Sequence, residues 1–135
     1  MRNLQKILAL VLALVMSFSL VATAGAFSDD GDIDASYSDA VTVLNGLKVY
    51  QGYADGSFDP KGSITRAEVA AIIYRIATGD VNDSQAAIYS SYGQFNDVLD
   101  GSWYAGYVNY CANAGYVKGK GNKVFDPQGP VKAEI

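Results

Sequence analysis

The run Gly52-Tyr53-Ala54-Asp55-Gly56-Ser57-Phe58-Asp59-Pro60, followed three residues later by Ile64-Thr65-Arg66-Ala67-Glu68, has a counterpart further along the chain. Gly52 and Phe58-Asp59-Pro60 return as Gly119 and Phe125-Asp126-Pro127 at an offset of 67. Arg66-Ala67-Glu68-Val69 returns as Lys132-Ala133-Glu134-Ile135 at 66, and Phe27-Ser28-Asp29 as Phe95-Asn96-Asp97 at 68. Three anchors in one order, drifting by a residue each, define two copies of one unit. The first copy is 27–79 and the second 95–135, with 80–94 a polar, Tyr-rich connector that has room for a helical turn around Ser84 to Tyr89.

Each unit reads as helix, loop, helix. From Ser38 to Leu47 the apolar residues Ala40, Val41, Leu44 and Leu47 fall at helical spacing, and Asp39 suits the positive end of a helix. Gly46 and Gly52 bracket the exit into the loop, where glycine tolerates the left-handed backbone that ends helices. Asp55-Gly56 is a turn, and Phe58 before Asp59-Pro60 pins an aromatic at the loop's end. Thr65 and Glu68 have the spacing of a capping box, so a second helix is predicted from there to about Thr78, with Gly79 as its stop and Val69, Ile72, Ile73 and Ile76 as its apolar stripe. In the second copy Trp103, Tyr107, Val108 and Cys111 mark a first helix from Trp103 to Ala114, and the loop Gly119-Lys120-Gly121-Asn122-Lys123 is basic where the first is acidic.

The 135 residues include no His and one Cys. Without imidazole, the Ser-His-Asp and Cys-His nucleophilic systems and His-ligated zinc are unavailable. Cys111 has no internal partner and reads as a small buried apolar residue rather than a reactive thiol. Residues 1–26 have the form of a secretory signal peptide: Arg2 and Lys6, an apolar run from Ile7 to Met16 and on to Val21, then Ala24-Gly25-Ala26. Removing them leaves eight basic against fourteen acidic residues, net −6, a poor match to nucleic acid or to anionic lipid. The expected protein is exported, with extracellular partners and no membrane contact after cleavage.

With Phe27 to Asp29, the amphipathic helix, the glycine-rich loop through Pro60 and Ile64-Thr65-Arg66-Ala67-Glu68, the chain resembles the S-layer homology (SLH) repeat over nearly all of 27–135. The resemblance implies an all-α fold of helix-loop-helix repeats, usually three about a pseudo-threefold axis. About one and a half repeats of such a bundle are expected here, because a second helix is due after Glu134 and the sequence stops at Ile135. It implies non-covalent anchoring of an exported bacterial protein by binding anionic, often pyruvylated, secondary cell-wall polysaccharide in grooves between repeats. No cofactor and no metal are expected.

The resemblance also assigns roles. Arg66 would grip a ketal carboxylate bidentately beside a helix N-terminus, with Lys132 its unforked counterpart. Gly52 and Gly56, with Asp55 between them, would let the backbone approach the sugar, and Trp103 would offer an apolar face to a pyranose ring. Arg66 as a plain surface charge and Trp103 as core remain open alternatives. The first copy has Ser36-Tyr37-Ser38 where the family usually carries Trp, and the second has Pro130-Val131 where Ile-Thr is expected, so Val131 cannot cap as Thr65 does.

Other readings are weaker. Asp30, Asp32 and Asp34 alternate as in an EF-hand loop, but Ala35 replaces the turn glycine and Val41 the bidentate glutamate. A glycosidase needs two facing carboxylates, and Glu68 and Glu134, the two glutamates, both take cap positions, so an enzyme is not expected. The main alternative to glycan anchoring is a structural, self-assembling surface protein whose repeats pack on one another.

Overall fold

A computed structural model describes residues 27–131 together with Asn3, Gln5 and Lys6. The rest of the expected signal peptide, and Lys132 to Ile135 of the second copy, lie outside the described residues. Among residues 27–131 the order is a 3-10 turn (Asp30–Asp32), α1 (Ala35–Gly46), α2 (Arg66–Thr78), a second 3-10 turn (Ala86–Tyr89) and α3 (Ala105–Asn113). Among the described residues there are isolated β-bridges but no strand, so the expected all-α class is correct. No described helix is long and apolar enough to cross a membrane.

α1 begins at Ala35, three residues before the expected Ser38, because the Asp34 carboxylate accepts from the Ser36 amide at 2.9 Å and caps the helix. Its end also differs from expectation. The left-handed residue is Lys48 (φ 57°), not Gly46, and the Val49 amide reaches back to the Leu44 carbonyl at 3.0 Å. Its counterpart in the second copy is Gly115 (φ 81°), where the Tyr116 amide bonds the Cys111 carbonyl at 2.8 Å. Of the four apolar residues expected to anchor α1, Val41 is buried, whereas Ala40, Leu44 and Leu47 are exposed.

α2 carries the predicted capping box: Thr65 Oγ1 accepts from the Glu68 amide at 3.2 Å and Glu68 Oε2 from the Thr65 amide at 2.7 Å. Gly79 (φ 72°) ends the helix as expected. The buried face is not the expected one. Ala67, Ala70, Ala71 and Tyr74 point inward, while Val69, Ile72 and Ile73 are partly covered and Ile76 is 63% exposed. Small residues at i, i+3 and i+4 let α3 approach closely, so that Cys111 lies against the Ala70 carbonyl at 3.3 Å. Burial pushes that thiol up to about 11, which keeps it protonated at neutral pH.

α3 starts at Ala105, with Trp103 in the turn before it rather than on the helix. Its Gly106 abuts the 3-10 turn Ala86–Tyr89, where a Cβ would come within 2.0 Å of the Ala86 carbonyl oxygen. Asn109, fully buried, donates to the Tyr89 and Ser90 carbonyls. The expected connector is therefore packed structure. Tyr74, Tyr107, Val108, Cys111 and Phe125 form the centre of the core around this contact.

Candidate glycan-binding groove

The two loops are built alike. In the first copy the Asp29 carboxylate accepts from the Phe58 and Asp59 amides, both at 2.8 Å; in the second Asp97 accepts from Phe125 and Asp126 at 2.9 and 2.7 Å. Those amide bonds lower the Asp29 carboxyl below its usual range. At Asp97 burial opposes the shift, but the same two bonds outweigh it. The Phe27 ring lies over Gly52, where a Cβ would stand 2.4 Å from Phe27 Cε1, and Phe95 lies over Gly119 in the same way at 2.6 Å. The glycine at this position is thus explained by ring packing within each copy.

The copies meet at the start of α2 and the residues just before it. The Arg66 and Ala67 amides donate to the Gly129 and Pro127 carbonyls, and the Val131 amide to Ile64, each at 2.9 Å. The Arg66 side chain continues this seam: Nε donates to the Phe125 carbonyl at 2.7 Å, Nη2 to Lys118 at 2.6 Å, and the guanidinium lies 4.5 Å from the Phe125 ring centroid. Its Nε and Nη2 are thus engaged by the second copy's loop.

A groove of about 170 Å³ opens between the copies. One wall is the loop Tyr50 to Tyr53, the floor is the α2 face carrying Glu68, Ile72 and Arg75, and Trp103 of the second copy closes it. Trp103 is 58% exposed and packs edge-on against Tyr104, with Tyr107 at 6.2 Å. It also borders a second groove of about 280 Å³ lined by Asp83, Ser90 and Gly106 among others. Arg75 and Asp83 join across the two: Nε and Nη2 meet the carboxylate oxygens at 2.9 and 2.8 Å, and Nη1 meets the Val49 carbonyl at 3.3 Å. Burial would lower the Arg75 pKa, but the Asp83 bonds raise it overall.

Of the expected site residues, the groove brings together Gly52 and Trp103. Arg66 lines neither groove, and Asp55 and Gly56 lie at the exposed loop tip, where Asp55 accepts from the Ser57 amide and hydroxyl and Gly56 (φ 82°) bonds Ser28 through its carbonyl. Lys132 lies outside the described residues. Tyr50, Gln51, Tyr53 and Arg75 were not foreseen. For Arg75 the sequence did hold a signal, since Glu68, Ile72 and Arg75 stand at i, i+4 and i+7 on one helical face.

No solved structure matches the chain significantly. It is 31% identical over 136 residues to a cell surface protein of Thermoanaerobacter kivui, covering 98% of this chain and 18% of that one. It is 32% identical over 131 residues to a surface layer protein of Brevibacillus choshinensis, covering 95% and 12%. A cellulosome-anchoring protein of Acetivibrio thermocellus is 31% identical over 93 residues, 69% of this chain and 20% of its own length. The chain thus spans at most a fifth of each of these relatives. The family described as S-layer homology domain matches residues 26–70 and 94–132, the two segments that carry the duplicated aspartate staple and the seam between copies, and the chain belongs to that family.

Proposed function

We propose that the chain anchors its protein at the bacterial cell surface by holding a cell-wall polysaccharide in the groove between its two repeats. The observation that carries this is Trp103: a large, exposed indole from the second repeat closing a groove whose other walls, Tyr50 to Tyr53 and α2, belong to the first. Aromatic faces flanked by hydroxyl and amide groups suit pyranose rings, which pair an apolar face with a rim of hydroxyls. The name of the cellulosome-anchoring relative and the surface-layer names of the others support the same setting. Binding, not catalysis, is the role of such a groove.

The test is a pull-down with purified wall polysaccharide. Trp103→Ala should weaken binding roughly ten- to a hundredfold, on the scale of ~1.5–3 kcal/mol for covering an aromatic side chain, while helical content stays intact. Undiminished binding by this variant refutes the placement. A second reading, packing on further SLH repeats, is favoured by the outward face of α1, where Val43 is 57% and Leu47 59% exposed. Equal pull-down by walls stripped of polysaccharide would favour it.

A further inference from the structure

The second groove bordered by Trp103 lies between the 3-10 turn Ala86–Tyr89 and residues 101–107, which lead into α3. Gly106 lets that turn lie directly on α3, and Asn109 ties it down by donating to the Tyr89 and Ser90 carbonyls at 3.0 and 2.8 Å. The hollow is therefore set by the fold before any ligand arrives, which lowers the entropy lost on binding. Its lining pairs a small apolar area, the Trp103 indole and the exposed Ala87 methyl, with the Ser90 and Ser102 hydroxyls and the Asp83 carboxylate. Ser90 Oγ accepts from the Gly101 amide at 3.2 Å and donates to Asp100, so its direction is fixed. Each Asp83 oxygen takes one bond from Arg75 and has a further lone pair with which to accept from a hydroxyl. One aromatic wall with a hydroxyl-accepting rim matches the two-sidedness of a pyranose in the same terms as the first groove.

Size and continuity join the two grooves. At about 170 and 280 Å³ neither alone reaches the ~300 Å³ at which ligand sites begin, whereas the two together do. Trp103 lines both, and Arg75 on the first is bonded to Asp83 on the second, so the grooves adjoin. We infer that the second groove is a further subsite for the wall polysaccharide, taking the next sugar residue along a strand that leaves the first groove across the Trp103 indole. The inference rests on the reading of the first groove as a polysaccharide site. It is tested by calorimetric titration with wall polysaccharide cut by partial hydrolysis into size-graded fragments. Affinity per fragment should rise about tenfold once the fragment is long enough to cover both grooves and then level off, a step on the scale of one or two added hydrogen bonds. Ala87→Leu, which fills the second groove without adding ring or charge, should remove that step while short fragments bind within about twofold of the parent. Ser102→Val, on the opposite wall, should do the same and serves if the first variant unfolds. A length step that survives both variants, or an affinity that does not depend on length, overturns this inference and leaves the first groove standing. Equal loss of short and long fragments by a folded variant also overturns it, since the plug then acts on the first groove. Failure of the unaltered chain to bind fragments of any length overturns anchoring itself and the inference with it.

Discussion

Arg66→Ala should act first on stability, because the side chain is a strut between the repeats. Its part-buried Nε bond to the Phe125 carbonyl has a charged donor and contributes ~1.5 kcal/mol, and the exposed Nη2 bond to Lys118 about half of that. The guanidinium over the Phe125 ring adds ~0.5–1 kcal/mol. Together the loss is about 3 kcal/mol, and a folded unit of roughly a hundred residues shifts its midpoint by about 4–8 °C per kcal/mol. Thermal unfolding followed by circular dichroism should show a fall of about 12–24 °C. Arg66→Lys should recover less than half, since one ammonium cannot reproduce the planar fork that serves two carbonyls. The capping box is untouched, so α2 itself should persist at low temperature. A midpoint within about 3 °C of the parent, together with lost polysaccharide binding, would show that Arg66 holds ligand and not the second repeat.

Lys48→Gly should stabilise the chain by about 0.5–1 kcal/mol, because Lys48 occupies the left-handed position that glycine fills in the second repeat; a raised urea midpoint checks it. Acid should unfold the protein through its aspartate staples. Asp29 and Asp97 are lowered in the folded state and Asp80 lies at about 2, held mainly by the Ser84 hydroxyl and the Gln85 amide. Groups with depressed pKa values contribute stability above their unfolded value of about 3.9 and lose it as pH falls through the folded value. Stability should therefore be flat from pH 7 to 5 and drop between about pH 4 and 2, and Asp97→Asn should flatten that drop in a pH series of urea melts.

At α2 the local signals in the sequence translated directly into structure, whereas at α1 they misplaced both ends. Thr65, Glu68 and Gly79 fix both ends of α2 through partners within four residues, so reading them needs no knowledge of the fold. The orientation of α2 is different in kind. Val69, Ile72, Ile73 and Ile76 form one stripe and Ala67, Ala70, Ala71 and Tyr74 another; which of them turns inward depends on how closely α3 approaches, a property of the Gly106 and Cys111 contacts far away in sequence. Hydrophobicity alone favours the wrong stripe. The site shows the same division. Trp103 and Gly52 stand out as residue types, whereas the commitment of Arg66 to the seam and of Arg75 to Asp83 depends on partners 59 and 8 residues away that no periodicity connects.

The duplication also shows why the copies are not interchangeable. At the end of each loop a phenylalanine carbonyl accepts a bond from a side-chain donor. In the first repeat the Tyr50 hydroxyl supplies it, at 3.2 Å from the Phe58 oxygen, with the two rings 5.1 Å apart. The equivalent of Tyr50 in the second repeat is Val117, which has no side-chain donor. There the Phe125 carbonyl takes Arg66 of the first repeat, and the guanidinium covers the Phe125 ring much as Tyr50 covers Phe58. The first loop is therefore completed from within and the second from its neighbour. The difference at one position, Tyr50 against Val117, goes with an internal bond in the first repeat and a bond between repeats in the second, so the free energy of holding the second loop is also free energy of holding the two repeats together.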